Sequence, residues 1–434
     1  MTQPPAGLGI DLMNGDFFGS DPFPAYAWMR EHAPAYHDEA NDLWALTRYD
    51  DVKAGGTDTA VFSNAGGIRP KFPPLPMMID YDPPEHTRRR RLVSAGFTPR
   101  RVKAMEDHVR AVCDAVIDGV CEQGECDFVR DIAAPLPLNM IGDLLGIAPA
   151  DRPGLLRWSE DMLASQGSPD PAGLEAAAQA FAEYTAYMGP VFADRRRTGA
   201  DDDLVGALVH AEIDGDRLDH DSLIHESLLI LIGGDETTRH VLSGGMLALL
   251  ERPAQLERLR ADPGLLPVAV EEMLRWESPI KDMVRTTTQP VELHGSRIPA
   301  GAEVMLLYPA ANRDEAVFDR PETFDAARAP NPHLAFGFGA HFCLGNQLAR
   351  LELRVMFEQL FARLPDLALA APGTLPRRAS NFISGLVSMP VTFTPARRVR
   401  ELPRRVGITA AWAATCITCW SPSAAGRPPS TRNG

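Results

Sequence analysis

The decapeptide Phe336-Gly337-Phe338-Gly339-Ala340-His341-Phe342-Cys343-Leu344-Gly345 constrains this chain more than any other stretch. Three glycines around one cysteine permit tight turns and close backbone approach, so the segment reads as a loop wrapped round a single soft sulfur. From the chain's own residue frequencies, a match at six fixed positions in ten arises by chance on the order of once in 10^5 or less. A helix starts at once, with Asn346, Gln347, Leu348, Ala349 and Arg350. The sulfur is therefore expected near a helix N-terminus, where the dipole favours thiolate over thiol. The plainer alternative is a buried structural cysteine in a glycine turn.

A second segment carries a different chemistry. The apolar run Leu228-Leu229-Ile230-Leu231-Ile232 is followed by Gly233-Gly234-Asp235-Glu236-Thr237-Thr238, two poor helix formers and a polar cluster that interrupt a long helix. Thr237 is predicted to turn its hydroxyl back to the carbonyl of residue 233, opening the backbone ladder into a groove for water or a small molecule. Asp235 and Glu236 beside it would add an acid, and acid, hydroxyl and water together make a proton relay. From these residues alone, a kinked core helix with a solvated acidic turn is an equally good reading.

Asp82-Pro83-Pro84-Glu85 reads as a capping box with proline at the first helical position, which puts His86 and Arg90 one turn apart on one face. Taken alone, that face is a solvated basic one. Glu272 and Arg275 stand three apart on another helix, a pairing that is usually a modest surface salt bridge. The loop before His86 carries Ile68, Phe72, Leu75, Met77 and Met78 between prolines that hold it extended. Singly each of these reads as core.

With these residues in view, the chain resembles the cytochrome P-450 family, whose heme-binding signature FGxGxHxCxG the decapeptide matches and whose [AG]GxxT helix pattern matches Gly233 to Thr237. DPPEHTRRRRLV resembles the family's heme-flanking helix, and the segment from Ala311-Asn312-Arg313 to Arg328 resembles its structural loop. The resemblance implies a single-domain, mostly α fold with minor β, a long central helix lying over heme b. It assigns Cys343 as the iron ligand, Phe336 beside the sulfur, and His86, Arg90, Arg285 and His341 to the heme propionates, which need such partners when buried. It assigns Asp235, Glu236 and Thr237 to proton delivery, and Arg328 to a structural lock with Glu272 and Arg275. The pocket would be lined by Ile68, Phe72, Met77, Met78, Ile232, Gly233, Met283, Val284, Phe382 and Ile383, an uncharged wall suited to hydrocarbon.

Four blocks, NAGGIRPKFPPLPMMIDYDPPEH, LLILIGGDETTRHVLSGG, EEMLRWESPIKDMVR and HLAFGFGAHFCLGNQLARLEL, are similar within that family to actinobacterial hydroxylases of the terminal methyl of a cholesterol or cholestenone side chain. The implied activity is a monooxygenase fed by NAD(P)H through a ferredoxin reductase and a ferredoxin. Arg88 to Lys103 holds seven basic residues and no acidic one, the expected docking face for an acidic ferredoxin. The rival activities are a heme-thiolate peroxygenase and a non-catalytic heme-binding sensor or carrier; neither needs the acid and hydroxyl of Glu236 and Thr237.

Composition sets the outer limits. With 434 residues, 45% hydrophobic and 23% charged, the chain is of the soluble globular class. Length admits two or three domains, or one large unit. A net charge of −15 argues against a phosphate-backbone partner. Six cysteines are too few for a disulfide scaffold, which suits a reducing compartment. The first residues lack signal-peptide features, and 406–420 is too short and Thr-rich to span a bilayer, so a cytoplasmic monomer without a membrane anchor is expected. Helices are predicted near 100–122, 171–196, 220–252 and 346–364, with strands around 291–293 and 304–307. From Arg397 seven arginines against one glutamate mark a basic tail, 397–434, expected to be disordered and separate from the 1–396 domain. The CxxC of Cys416 and Cys419 in it reads as two thiols without metal partners.

Overall fold

The computed structural model describes residues 4–164, 171–200, 203–212 and 215–399, so Cys416, Cys419 and nearly all of the basic tail lie outside the described residues. The organising element is the His220–Leu250 helix, 31 residues and about 46 Å long. Asp219 caps it, its carboxylate accepting the Ser222 N–H at 2.8 Å. Leu223, Leu231, Leu242, Met246 and Leu249 are buried on several sides of it, as expected of a helix running through a core. The Pro135–Leu144, Leu266–Glu277 and Asn346–Arg363 helices pack against it. Close packing needs Gly244, because a side chain there would collide with the Glu277 carboxylate.

The glycine pair does not break this helix. Thr237 Oγ1 does donate to the Gly233 carbonyl, at 2.8 Å, yet the helix continues through both glycines. Burial of the apolar residues on either side outweighs two poor helix formers. The helix expected over 100–122 is divided at Met105 into Pro99–Ala104 and Glu106–Val120. The Pro171–Thr198 and Asn346–Arg363 helices lie close to where they were predicted.

A five-stranded sheet takes the order Ala35–Asp38, Leu43–Leu46, Glu303–Leu307, Asp282–Thr287, Phe62–Ser63. Leu43–Leu46 is parallel to Glu303–Leu307, and the latter is antiparallel to Asp282–Thr287, with Met283 opposite Leu306. Strand alternation sends Met283 and Arg285 to the interior cavity and Val284 into the N-terminal core with Met305 and Leu307. Ile280 bridges Ile383, and the Lys281 N–H donates to Phe382 at 2.8 Å, which brings 382–383 to the same cavity.

Glu272 and Arg275 are fully buried instead of lying on the surface. The chain's C-terminal packing runs past the expected boundary at 396: Arg398 pairs with Glu122 at 3.1 Å and the Val399 N–H reaches Asp118 at 3.0 Å. Among the described residues no helix is long and apolar enough to cross a membrane.

Candidate active site

The cysteine loop closes on itself through backbone bonds. The Cys343 N–H donates to the Phe336 carbonyl at 2.9 Å, and Phe342 to Gly339 at 3.1 Å. Gly339 has φ +75°, and a side chain there would strike the Gly56 carbonyl, so only glycine fits. Phe336 packs edge-on to Phe342, 6.2 Å between centroids, under the Arg350 guanidinium. The Cys343 sulfur lies at the start of the Asn346–Arg363 helix, as predicted. Burial nonetheless pushes its thiol up; the Gly345 and Asn346 N–H groups with Arg90 and Arg350 pull it down without prevailing. Burial thus opposes the helix terminus, and a bound iron would be the partner that favours the thiolate.

The cations predicted around the loop come together, with a change of detail. Asp82 does not form the reciprocal capping box: its carboxylate accepts from the Ser63 hydroxyl and the Asn64 N–H, while Glu85 binds Arg88 and Arg89. The Glu85–Ser94 helix still places His86 and Arg90 on one cavity-facing side. His86 packs against His341, 3.9 Å between ring centroids with the rings tilted by 36°. Burial, then Arg90, lowers the His86 pKa to about 4, and burial, then His86, depresses His341 further. Arg90 donates to the Phe342 carbonyl, and Arg285 to the Val284 carbonyl at 2.8 Å.

The acids lie differently from the expectation. Thr237 and Gly233 face the cavity, but Asp235 and Glu236 lie on the opposite side of the helix, away from it. Glu236 is a carboxylate locked by Arg239 and by Arg378, the latter at 2.9 Å. Arg239 and Arg378 hold its pKa well below the ordinary range against the opposing effect of burial. Asp235 accepts from Ser159 at 3.1 Å, and burial beside Glu236 raises it to about 7. The idea of Glu236 standing in a groove with Thr237 is thus corrected: a helix puts adjacent residues about 100° apart.

One cavity of about 560 Å³ joins these parts. Of the predicted wall, Ile68, Phe72, Met77, Met78, Ile232, Gly233, Met283, Phe382 and Ile383 line it; Val284 does not. Sequence reasoning missed the contributions of two further helices, Met162 and Leu163 from Arg152–Ala164 and Leu174 and Phe181 from Pro171–Thr198. It also missed two charged groups, Arg69 and Glu352. Glu352, buried near Asp235, has its pKa raised to about 8 by burial first and that neighbour second. Helical spacing of Leu348, Glu352 and Leu353 could have flagged Glu352.

A heme fits this chemistry. Cys343 opens into the cavity, and three buried nitrogens nearby, His86 Nδ1, His341 Nε2 and Arg285 Nε, lack any protein acceptor. Two carboxylates brought into the cavity would satisfy them. On the expected docking face, Arg88, Arg89 and Arg90 are taken by local partners. Arg91, Arg100, Arg101 and Lys103 remain exposed, so the open basic patch is smaller than the run of seven.

Comparison with known proteins agrees with this geometry. The family model described as Cytochrome P-450 matches residues 264–365. The chain is 53% identical to a Mycobacterium tuberculosis protein named steroid C26-monooxygenase, over 91% of this chain and 99% of that one. It is 50% identical to a protein of the same name from Mycolicibacterium smegmatis, over 92% of this chain and all of that one. Among solved structures, the cytochrome P-450 of the Bacillus subtilis bacillaene polyketide synthase superposes with a TM-score of 0.82 at 32% identity, covering 89% of this chain and 100% of the other. By its cysteine loop, its central helix and its full-length likeness to these proteins, the chain belongs to the cytochrome P-450 family.

Proposed function

We propose that the protein hydroxylates the terminal methyl carbon of a steroid side chain, with heme b held by Cys343. The observation that carries the reading is one continuous cavity with Cys343, Thr237 and an apolar wall from Ile68 to Ile383, in a chain 53% identical to a steroid C26-monooxygenase. When bound, the heme supplies reductive activation of O2, to which thiolate ligation contributes electron density. The chain's part is positional. His86, Arg90, Arg285 and His341 would receive the propionates. The Thr237 hydroxyl, anchored on the Gly233 carbonyl at 2.8 Å, keeps its lone pairs free to accept from water and pass a proton. Ile232, Met283, Phe382 and Ile383 exclude bulk water from the reacting carbon.

A sugar or amino acid against this wall would leave polar groups unpaired, at about 1–3 kcal/mol each. Electrons come from NAD(P)H through a ferredoxin reductase and a ferredoxin, which docks on Arg91, Arg100, Arg101 and Lys103 and gains encounter rate more than affinity. Cholest-4-en-3-one should shift the Soret band to shorter wavelength at micromolar concentration, and turnover should place oxygen on a terminal methyl. A shift with a macrolide or fatty acid, and none with steroids, overturns the substrate and leaves the family intact.

A further inference from the structure

Arg69 lies in the 64–80 loop, held on both sides by backbone bonds. The Ile68 N–H donates to Asp80 at 3.1 Å, the Leu75 N–H to the other Asp80 oxygen at 2.7 Å, and the Val284 N–H to the Ile68 carbonyl at 2.8 Å. The guanidinium sits over the Phe72 ring, 4.2 Å from its centroid, and lines the cavity. Among the described residues it has neither a hydrogen-bond acceptor nor an ion pair within 4 Å. Asp80 is the nearest opposing charge, but both its oxygens are engaged by the loop's own N–H groups. Guanidinium stays charged in proteins, so it faces an apolar space with its donors unused.

Its bonding separates it from the other cavity cations, although Arg285 shares with it the field of Asp80. Arg90 and Arg285 stand beside His86, His341 and the cysteine loop, each with a carbonyl partner. Arg69 lines the cavity with Phe72 and Leu75 in a loop whose Lys71, Pro73, Pro74 and Pro76 are exposed, so this stretch of the wall lies near the surface. A molecule that enters with a methyl group toward Cys343 and Thr237 leaves its other end at this loop.

We propose that Arg69 donates a hydrogen bond to an oxygen, ketone or hydroxyl, on the end of the substrate remote from the reacting methyl, while Phe72 packs on the adjoining ring. This rests on the steroid reading and adds a specificity residue to it: the wall selects hydrocarbon, and Arg69 selects a hydrocarbon oxygenated at one end and orients it methyl-first. An acceptor bonded to a charged donor in such a place changes affinity about tenfold or more.

The test titrates the heme-loaded wild type, Arg69→Leu and Arg69→Lys with cholest-4-en-3-one and with 5α-cholestane, which lacks the oxygen, both delivered in cyclodextrin and read by the Soret shift. The expected result is about a tenfold loss of ketone affinity in Arg69→Leu, a cholestane affinity within twofold of wild type, partial recovery in Arg69→Lys, and equal heme content throughout. Equal losses for both ligands, no loss for either, or a fall in heme content with an unchanged ketone-to-hydrocarbon ratio would each overturn it, the last by reassigning Arg69 to the propionates. A wild type that responds to neither steroid but does respond to a fatty acid overturns the steroid reading itself, and this inference with it.

Discussion

Glu272 and Glu236 are both fully buried carboxylates set between two arginines, and they are satisfied to different degrees. Glu272 Oε1 accepts from Arg275 Nη2 at 2.8 Å and the Asp325 N–H at 2.9 Å; Oε2 accepts from Arg275 Nε, Arg328 Nε and Asn331 Nδ2 at 2.8, 3.0 and 3.1 Å. Both Glu272 oxygens are engaged, and only the Asn331 Oδ1 of this group is left without a partner. Glu236 concentrates Arg239 and Arg378 on Oε2, while its Oε1, Asp235 Oδ1 and His240 Nδ1 have no partner. His240 Nε2 approaches the same Oε2 to 3.4 Å. A carboxylate with both oxygens engaged is held in one geometry; a half-satisfied one retains places for water. The first is a brace for the Leu266–Glu277 helix and the loop that ends at Arg328. The second backs the helix whose other face carries Thr237.

The largest expected effect therefore comes from Glu272→Gln, which leaves Arg275 and Arg328 buried without their carboxylate and should cost about 3–5 kcal/mol in urea or thermal unfolding. A near-wild-type melting curve would erase the distinction between the two clusters. Glu236→Gln should cost less, about 1–3 kcal/mol, because Arg239 keeps Glu160 at 3.2 Å. The function should rank in the reverse order. Thr237→Ala, which changes the cavity-facing hydroxyl, should lower product per electron by a factor of about 10 or more and raise peroxide. Glu236→Gln should uncouple less; equal uncoupling would mean that Glu236 reaches the cavity in solution.

A pH profile sharpens the contrast. Burial raises the Asp235 pKa in the folded protein to about 7 from an ordinary value near 4. Its stabilising contribution is then complete below about pH 4 and is lost as pH rises through about 7. Wild type should lose stability relative to Asp235→Asn across that interval, with parallel curves above it; parallel melting temperatures from pH 4 to 8 would refute the assignment. The smallest effect serves as the control. A chain ending at Val399 touches neither cluster and keeps the Arg398 and Val399 contacts, so heme content and melting temperature should remain within error of the full chain. A fall in either would make the remaining tail part of the domain.

Much of this site could be read along the chain because its interactions are short-range. Thr237 to Gly233, Cys343 to Phe336 and Glu272 to Arg275 join residues three to seven apart, where helix and turn geometry settle the contact from residue type alone. Even there, orientation escaped. Val284 and Glu236 are each one position from a cavity residue, and one step along a strand or helix turns a side chain to another face.

By itself, then, the sequence determined the cysteine loop, the long helix beside the cavity, the helix that carries His86 and Arg90, and the apolar character of most of the wall. Only the tertiary structure decided that Glu236 is clamped by Arg378, 142 residues away. It alone also decided that the Arg152–Ala164 and Pro171–Thr198 helices complete the cavity, and that Arg69 faces it without a partner. The physical reason is one of range: backbone hydrogen bonds and side-chain periodicity act over a few residues, whereas the burial and pairing of a charge depend on whatever the folded chain brings beside it.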